Sequence, residues 1–520
     1  MSIGIRRRKL NKAMLFYIGS LLVVLAACLD NTFPAPAPLS GSRPNIVFVL
    51  TDDQGYGDIS AHGNPVLRTP NLDRLHRESV RFTDFHVSPT CAPTRSALLT
   101  GRHEFKNGIT HTILERERLS LRASTLADAL RSAGYRTGIF GKWHLGDAPD
   151  YWPSRRGFAE MFIHGCGGIG QTYPGSCGDA PGNTYFSPVL LHNGKFQRTE
   201  GYCTDVFFDQ AMRWIGEQKK GTPFLAWIST NVPHAPYQVR AEDEARYAGK
   251  VSDALTAKYF GMLANLDDNI GRLLTRLSEL GLEQDTLVVF MNDNGGTGGV
   301  KIFNAGMRGQ KGTPWLGGTR ASSFWRWPGH LSPTDVRRLA GHIDFFPTLA
   351  DLAGVRLGKR EKKQIEGRSL VPLLSNPDAD WTDRTFVTHV GRWPLGTSPE
   401  EWKYRGAAIR NQRWQLVSID GGRTPHWQLF DLQADYGETT DVAASHPEVV
   451  ASLSSGFDRW WASARPLMVN ENARGPKVNP LKKLFWKQYG GSPSEEDLKN
   501  MDLVLFLKKQ APKPSGAQKP

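Results

Sequence analysis

Acidic, amide and basic side chains in this chain lie directly after apolar runs. The acidic and amide members are Asp52, Asp53, Asp293 and Asn294. Carboxylate and amide oxygens are hard ligands, and they suit Ca²⁺ or Mg²⁺ better than zinc. The basic members are Lys142, His144, His234 and Lys311. A divalent cation beside lysine and histidine predicts a site for an anionic oxygen group such as sulfate or phosphate.

The runs that precede these groups are predicted to be buried strands. They are residues 46–50, 135–140, 224–228 and 286–291. Continuously apolar strands are typical of a parallel sheet, and helical patterns within 126–133 and 253–280 lie between them. Strands that alternate with helices predict an α/β fold. Because ligands bind beyond the carboxyl ends of such strands, the four runs predict one common site.

The most specific segment is residues 91–102, which reads CAPTRSALLTGR. It resembles the signature of type I sulfatases, in which Cys-x-Pro-x-Arg is followed by Leu-Thr-Gly-Arg. The segments TDD, GKWH, PH, NDNGG and KGT follow in the order of that family, so the resemblance covers about residues 44–440. It implies an alkaline phosphatase-like α/β fold: a large mixed, mostly parallel sheet flanked by helices, plus a smaller C-terminal subdomain with a short antiparallel sheet. The alternative for the segment is a buried structural cysteine at a helix start.

The resemblance also implies a role for each matched residue. Cys91 would be converted to formylglycine by a dedicated maturation enzyme. One Ca²⁺, in preference to Mg²⁺, would be held by Asp52, Asp53, Asp293 and Asn294, with the formylglycine from Cys91 beside it. Arg95, Lys142 and His144 would hold the formylglycine, while His234 and Lys311 would face the sulfate and the leaving group. The chain departs from the family at 316–322, LGGTRAS, where Glu-Gly-Gly-x-Arg-x-Pro is common, and the family's serine contacts have no evident match.

Sulfate ester hydrolysis explains this set of residues. A hydrated aldehyde has two hydroxyl groups, so one can attack sulfur and the other can later expel sulfate by C–O cleavage. We expect His144 to take the proton in that release and His234 to protonate the leaving oxygen. Ca²⁺ and three basic side chains against three carboxylates leave a net charge of about +2, which suits an anionic transition state.

Two other functions remain open at this stage. A formylglycine-dependent phosphoester or phosphonate hydrolase would use the same residues, although Asn294 favours one metal over the two-metal phosphatases of the superfamily. A non-catalytic, sulfated-glycan-binding lipoprotein would be expected to have lost some of the catalytic set. We therefore predict a sulfatase that acts on an aryl sulfate or, more specifically, on sulfated polysaccharide or oligosaccharide.

The N-terminus resembles an export signal. Residues 6–12 are basic, and the 13 apolar residues 15–27 span only about 20 Å, too short for a bilayer core of about 30 Å. This is the pattern of a signal peptide. The following LAAC resembles a lipobox, which would lipidate Cys28 and anchor the protein to a membrane; the alternative is an ordinary signal peptide cut near Ala27. We predict a periplasmic, outer-membrane or cell-surface lipoprotein of a bacterium.

The predicted organisation is a signal peptide (1–27), a tether (28–43), a catalytic domain (44–380), a C-terminal subdomain (381–465) and a partly disordered extension (466–520). Four short strand patterns and a helix at 446–463 predict the antiparallel sheet of the subdomain. His389, Arg392 and Trp393 are candidates for substrate contact, although such aromatic residues more often belong to a core. The glycine-rich loop 164–203 is a second candidate for the wall of the site.

Charge and cysteine content limit the partners. The 520 residues contain 64 Lys and Arg against 51 Asp and Glu, a net charge of +13. Five of these charges lie in residues 6–12 and no nucleic-acid-binding motif occurs, so we predict no nucleic-acid partner and interpret the rest as steering towards a polyanionic substrate. Five cysteines exclude a disulfide scaffold. One disulfide among Cys166, Cys177 and Cys203 would suit an oxidising compartment, but the sequence does not indicate the pair.

Overall fold

The computed structural model describes residues 38–171, 173–174 and 178–500, together with Met1 and Asp502. The chain divides into two units, Met1–Pro38 and Leu39–Pro520, and the second carries the fold. The predicted signal peptide and the predicted lipidation site at Cys28 lie outside the described residues. Among the helices that are described, none is long and apolar enough to cross a membrane.

Sixteen strands and thirteen α-helices make up the described fold. The strands are β1 Asn45–Thr51, β2 Val80–Phe82, β3 Phe85–His86, β4 Arg136–Lys142, β5 Glu160–His164, β6 Val189–His192, β7 Lys195–Arg198, β8 Phe224–Ser229, β9 Thr286–Asn292, β10 Ser323–Arg326, β11 Thr334–Val336, β12 Ala340–Gly341, β13 Phe386–His389, β14 Ala407–Arg410, β15 Trp414–Ser418 and β16 Gln428–Asp431. The helices are α1 Pro70–Arg77, α2 Cys91–Thr100, α3 Leu126–Ser132, α4 Cys203–Gly216, α5 Ala241–Ala245, α6 Ala254–Glu279, α7 Leu316–Thr319, α8 Phe345–Leu352, α9 Lys359–Gln364, α10 Val371–Ser375, α11 Pro447–Ala464, α12 Pro480–Tyr489 and α13 Glu495–Asn500.

The main sheet has ten strands in the order β11-β2-β10-β9-β1-β8-β4-β5-β6-β7. Its centre, from β9 to β5, is entirely parallel, as the four apolar runs predicted. Alternate residues of β1 enter two separate cores, with Phe48 and Leu50 in one and Val47 and Val49 in the other. Each face of the sheet is therefore covered, which explains why this run is apolar at every position.

A second sheet of four antiparallel strands, β13-β14-β15-β16, follows the large one. Its core includes Leu416 and Leu429 from the strands and Phe457 and Trp461 from α11. The fold class expected from the sequence, a large mixed sheet flanked by helices with a small C-terminal antiparallel sheet, is confirmed.

The C-terminal extension contributes a helix to the main body. Leu481 of α12 is buried in one of the two large cores, and the ring of Phe485 lies 5.7 Å from that of Phe196. The Tyr489 hydroxyl donates to the Phe196 carbonyl over 2.9 Å. Leu481, Phe485 and Tyr489 are spaced four residues apart, and the face of α12 that they form packs against the hairpin of β6 and β7.

Candidate active site

The predicted site residues lie together at the carboxyl edge of the parallel strands. The register pairs Thr51 with Asn292 and Leu50 with Ser229, so β1, β8 and β9 end at the same level. Asp52 and Asp53 follow β1, Asp293 and Asn294 follow β9, Lys142 ends β4, and Cys91 begins α2. All six of these side chains belong to buried residues. The edge of the sheet therefore collects groups that are up to 242 positions apart in the sequence.

Each carboxylate at this edge forms an ion pair with a lysine or an arginine. Lys142 Nζ lies 2.6 Å from Asp52 Oδ2, and both side chains are fully buried. The Arg95 guanidinium donates to Asp293 Oδ2 over 2.8 and 3.2 Å. Lys311 Nζ lies 2.5 Å from Asp53 Oδ1. Three basic groups thus balance three acids, and breaking one such buried pair typically costs about 3–5 kcal/mol.

Burial dominates the ionisation of this cluster. It raises the pKa of Asp52, and burial together with the neighbouring Asp52 raises the pKa of Asp293. Asp53 behaves differently: although burial opposes the shift, Lys311 and His234 lower its pKa below the usual range. Two of the three carboxylates are therefore easier to protonate than a free aspartate, and further positive charge nearby would favour their ionised form.

The donor set fits a hard divalent cation. Two groups of side chains place possible ligand atoms within 4.8 Å of one another: Asp52, Asp53 and His234, and Asp52, Cys91 and Asp293. Asp52 Oδ1 and Asn294 Oδ1 are buried, and neither has a hydrogen-bond partner among the described residues. Leaving such an oxygen unpaired costs about 1–3 kcal/mol, and a bound cation removes that penalty. The residues expected to hold calcium therefore have the chemistry to do so.

Removal of divalent ions is expected to destabilise the protein. A cation present at 100 times its Kd contributes about 2.7 kcal/mol to the free energy of unfolding. Thermal unfolding followed by circular dichroism should therefore give a lower Tm after chelation, and calcium should restore the original value. The Asn294→Ala variant should show a smaller calcium-dependent shift. Equal Tm values with chelator and with calcium would contradict the metal site.

The two histidines of the site are held by main-chain carbonyl groups. His144 Nε2 lies 2.8 Å from the Thr112 carbonyl oxygen, and His234 Nδ1 lies 2.6 Å from that of Ala235. A carbonyl oxygen only accepts, so these nitrogens donate, and the proton-accepting atoms are Nδ1 of His144 and Nε2 of His234. Burial lowers the pKa of His234 to about 3, and burial and Lys142 lower that of His144. Without a bound anion, both rings are neutral near pH 7.

The glycine-rich loop passes directly over these histidines. A Cβ atom on Gly168 would lie 3.0 Å from His234 Nδ1, and one on Gly167 would lie 3.3 Å from His144 Cε1. The Tyr185 hydroxyl, from the same loop, donates to the His234 carbonyl oxygen over 2.8 Å. A larger residue at either position would push against the histidine rings, so glycine suits this close approach, and the loop forms one wall of the site.

Sequence reasoning missed two residues of this site. Arg95 Nη1 donates a short hydrogen bond to Ser229 Oγ. Ser229 is the last residue of β8, so its position at the end of an apolar run could have identified it. Thr112 supports His144 through a main-chain oxygen, and no side-chain pattern in the sequence signals such a contact.

Two of the three candidates for substrate contact belong to the core. His389 and Trp393 are 2% and 1% exposed. Trp393 Nε1 donates to Glu471 Oε2, and the ring of His389 lies 5.6 Å from that of Trp461. Burial in this core does not favour contact of His389 and Trp393 with substrate, which stays a prediction. Arg392 donates to Thr112 Oγ1 over 3.0 Å. The main-chain oxygen of the same Thr112 contacts His144, so Arg392 is linked to the site through this one residue.

The structure narrows the disulfide pairings that are possible for the cysteines outside the site. Cys203 is a buried free thiol in α4, and burial raises its pKa to about 12. Because Cys203 is a free thiol, it forms a disulfide with neither Cys166 nor Cys177. Cys177 lies outside the described residues, so a bond between Cys166 and Cys177 stays a prediction.

The C-terminal extension is expected to stabilise the loop that forms the wall of the site. Asp147 Oδ2 accepts from the Gly178 main chain over 2.6 Å and from Asn479 Nδ2 over 2.7 Å. The Asn479→Ala variant leaves buried Asp147 with one donor fewer and removes the N-cap of α12, so the free energy of unfolding should fall by about 1–3 kcal/mol. Denaturant unfolding measures this change. The exposed Gln433→Ala variant is the control, and an equal stability of the two variants would contradict the role of Asn479.

A buried edge where carboxylates alternate with lysine and arginine suits the ester of an oxyanion, and the sheet that carries it is that of the alkaline phosphatase-like hydrolases. The sequence model of the sulfatase family matches residues 44–355, and the model for the C-terminal part of N-sulphoglucosamine sulphohydrolase matches residues 318–459. The chain belongs to the sulfatase family and is a sulfuric ester hydrolase.

Individual relatives agree with this assignment. Human arylsulfatase A is 33% identical over 489 residues, which cover 84% of this chain and 89% of that protein. N-acetylgalactosamine-6-sulfatase of Rattus norvegicus is 31% identical over 483 residues, covering 84% and 87%. The crystal structure of Ps i-CgsB in complex with k-i-k-neocarrahexaose superposes with a TM-score of 0.71 at 25% identity, covering 88% of this chain and all of the other.

Proposed function

We propose that this protein hydrolyses sulfate monoesters of a sulfated polysaccharide or oligosaccharide, using a formylglycine derived from Cys91 and one Ca²⁺. The observation that carries the proposal is the position of Cys91. Its sulfur lies within 4.8 Å of carboxylate oxygens of Asp52 and Asp293, at the first residue of α2. An inert structural cysteine has no reason to lie among groups that can bind a divalent cation.

The depth of each basic side chain supports a division of roles. Lys142 and Arg95 are 0% and 3% exposed, so we assign to them the task of orienting the residue at position 91 from below the surface. Their ion pairs with Asp52 and Asp293 keep them in one position, which is the preorganisation that electrostatic catalysis requires. The positive end of α2 points to the same place, since Cys91 is its first residue.

Lys311 and His234 are the accessible basic groups. Their side chains are 15% and 12% exposed, and both contact Asp53, so they face the same space. We assign sulfate binding to Lys311 and protonation of the leaving oxygen to His234 Nε2. An anionic ester bound between them raises the pKa of His234 and brings it towards the range of a proton donor. His144 Nδ1 accepts a proton in the release step.

A divalent cation and a formylglycine would complete this arrangement. Asp52, Asp53, Asp293 and Asn294 would hold Ca²⁺, which would neutralise charge on the sulfate oxygens. Formylglycine would supply a hydroxyl nucleophile and a second hydroxyl for sulfate release. The human and rat relatives, named for aryl sulfate and for N-acetylgalactosamine 6-sulfate, support a sulfate monoester and a sugar as substrate.

We also infer export to the cell envelope of a bacterium, with a lipid anchor on Cys28. The basic residues 6–12, the apolar run 15–27 and the LAAC sequence that ends at Cys28 support this location. Labelling with a radioactive fatty acid tests it, since the Cys28→Ala variant should lose the label.

Mass spectrometry of the peptide that contains Cys91 tests the mechanism. The protein is co-expressed with a formylglycine-generating maturation enzyme, and the peptide is expected to carry an aldehyde in place of the thiol. An unmodified thiol in fully active protein would overturn the mechanism. A panel of sulfated glycans, an aryl sulfate and an aryl phosphate then measures the substrate class, and faster turnover of the phosphate would favour a phosphoester hydrolase.

A further inference from the structure

A basic cavity lies on the flank of the main sheet. It has a volume of about 440 Å³ and lies between the start of α3, the turn that precedes β5 and the segment that follows α8. Four arginines line it: Arg155, Arg156, Arg356 and Arg360. None of its lining residues belongs to the active site.

The charge of this cavity is not compensated. Within the described part of the chain, none of the four arginines forms an ion pair with a carboxylate. The cavity has two carboxylates, and each accepts a hydrogen bond from a neighbouring hydroxyl: Asp128 from Thr125 and Glu361 from Ser124. Four guanidinium groups therefore face two carboxylates, which leaves an excess of positive charge.

Arg156 shows this lack of negative charge most directly. It is 5% exposed, and its guanidinium donates to the carbonyl oxygens of Ser120 and Ala123 over 3.1 and 2.9 Å. Its Nε atom is buried with no partner among the described residues. Burial lowers the pKa of Arg156, the nearby Asp128 carboxylate raises it, and the charge of Arg360 lowers it. A buried guanidinium whose hydrogen bonds all go to carbonyl oxygens gains further stabilisation from an anion bound nearby.

The cavity is distant from the catalytic edge. Thr137, near the start of β4, donates to the Gly157 carbonyl and accepts from the Ala159 main chain, so the turn beside Arg155 and Arg156 lies at the amino edge of the sheet. The catalytic groups follow the other end of the same strand. The seven residues of β4 are separated by six steps of about 3.3 Å, which places its two ends about 20 Å apart.

We propose that this cavity is a second anion-binding site, which holds a sulfate or carboxylate group of a polyanionic sugar chain while another part of that chain occupies the active site. Arginine is suited to this task because its planar fork binds such groups through two parallel hydrogen bonds. The choice of a sulfated sugar as the ligand rests on the proposed function. A chain long enough to reach both sites gains affinity from the second contact, whereas a short one does not.

Binding of size-fractionated heparin oligosaccharides to the full chain tests the proposal. The test variant is Arg155→Glu/Arg356→Glu, which changes two exposed side chains and leaves buried Arg156 in place. The control is Lys219→Glu/Lys220→Glu, which has the same charge change on exposed residues elsewhere. Calorimetry in a Cys91→Ala background measures affinity without turnover. The test variant should bind long fragments about tenfold more weakly and short fragments equally well, and the control should stay within about twofold for both.

Four outcomes would overturn the site. Equal weakening in both double variants would indicate general electrostatic attraction, and unchanged binding of long fragments in the test variant would exclude the cavity. Arginine-dependent binding to vesicles of anionic phospholipid, without such binding to heparin, would assign the cavity to a membrane. If inorganic sulfate competes equally well with long and with short heparin fragments, the cavity binds a free ion only. Aryl sulfate hydrolysis by the Arg155→Glu/Arg356→Glu enzyme with Cys91 intact should be unchanged, and this tests the proposed function separately.

Discussion

Replacement of Cys91 by alanine is expected to lower kcat for an aryl sulfate by about four orders of magnitude or more. Removal of an enzyme nucleophile typically has an effect of this size, because binding and electrostatic stabilisation alone supply only the residual rate. The measurement is single-substrate kinetics on protein produced together with the maturation enzyme. Circular dichroism should show an unchanged fold, since alanine fits where Cys91 begins α2.

Cys203→Ala is the matched control for this prediction. Cys203 is also a buried cysteine at the first position of a helix, but it lies in α4, within the apolar core. This variant should keep kcat within about twofold and lose only some stability. Retention of a tenth of the activity by the Cys91→Ala enzyme would contradict the assignment of the nucleophile.

The His234→Ala variant is expected to lose about 10²- to 10⁴-fold in kcat on a sugar sulfate, the usual contribution of a general acid. The loss should be much smaller on 4-nitrophenyl sulfate, because its leaving group departs without a proton. The ratio of the two losses, measured on the same preparation, separates proton donation from binding. His426→Ala, which changes an exposed ring whose side chain is 65% accessible, should affect neither substrate.

An equal loss on both substrates would contradict proton donation by His234. In that case the ring would act only by position, through its 3.9 Å approach to Asp53. The comparison is informative because His234 also contacts the Ala235 carbonyl, a contact that alanine removes in either case. Only a role as acid makes the loss depend on the leaving group.

Much of the site follows from local pattern. The run 46–50 predicted a doubly buried strand, and the two acids that follow it had to emerge at the carboxyl edge. Cys91 and Arg95 are four residues apart, which is one helical turn, so a single helix presents both on one side. Strand ends and helical spacing are short-range properties, and for that reason the sequence is sufficient to predict them.

Which acid pairs with which base could not be predicted from the sequence. Lys142 is 90 positions from Asp52, and Lys311 is 258 positions from Asp53, and no spacing rule connects them. His389 and Trp393 illustrate the same limit. An aromatic residue on a short strand or loop can line a cavity or fill a core, and the position of α11 decided for the core here.

The sequence by itself determined which chemical groups this protein has and which edge of the sheet presents them, because the period of a strand or helix is local. Only the tertiary structure decided which acid neutralises which base, and that four arginines from two distant segments, 155–156 and 356–360, meet in one cavity. Electrostatic interactions depend on distance in space, and the packing of the whole chain sets that distance.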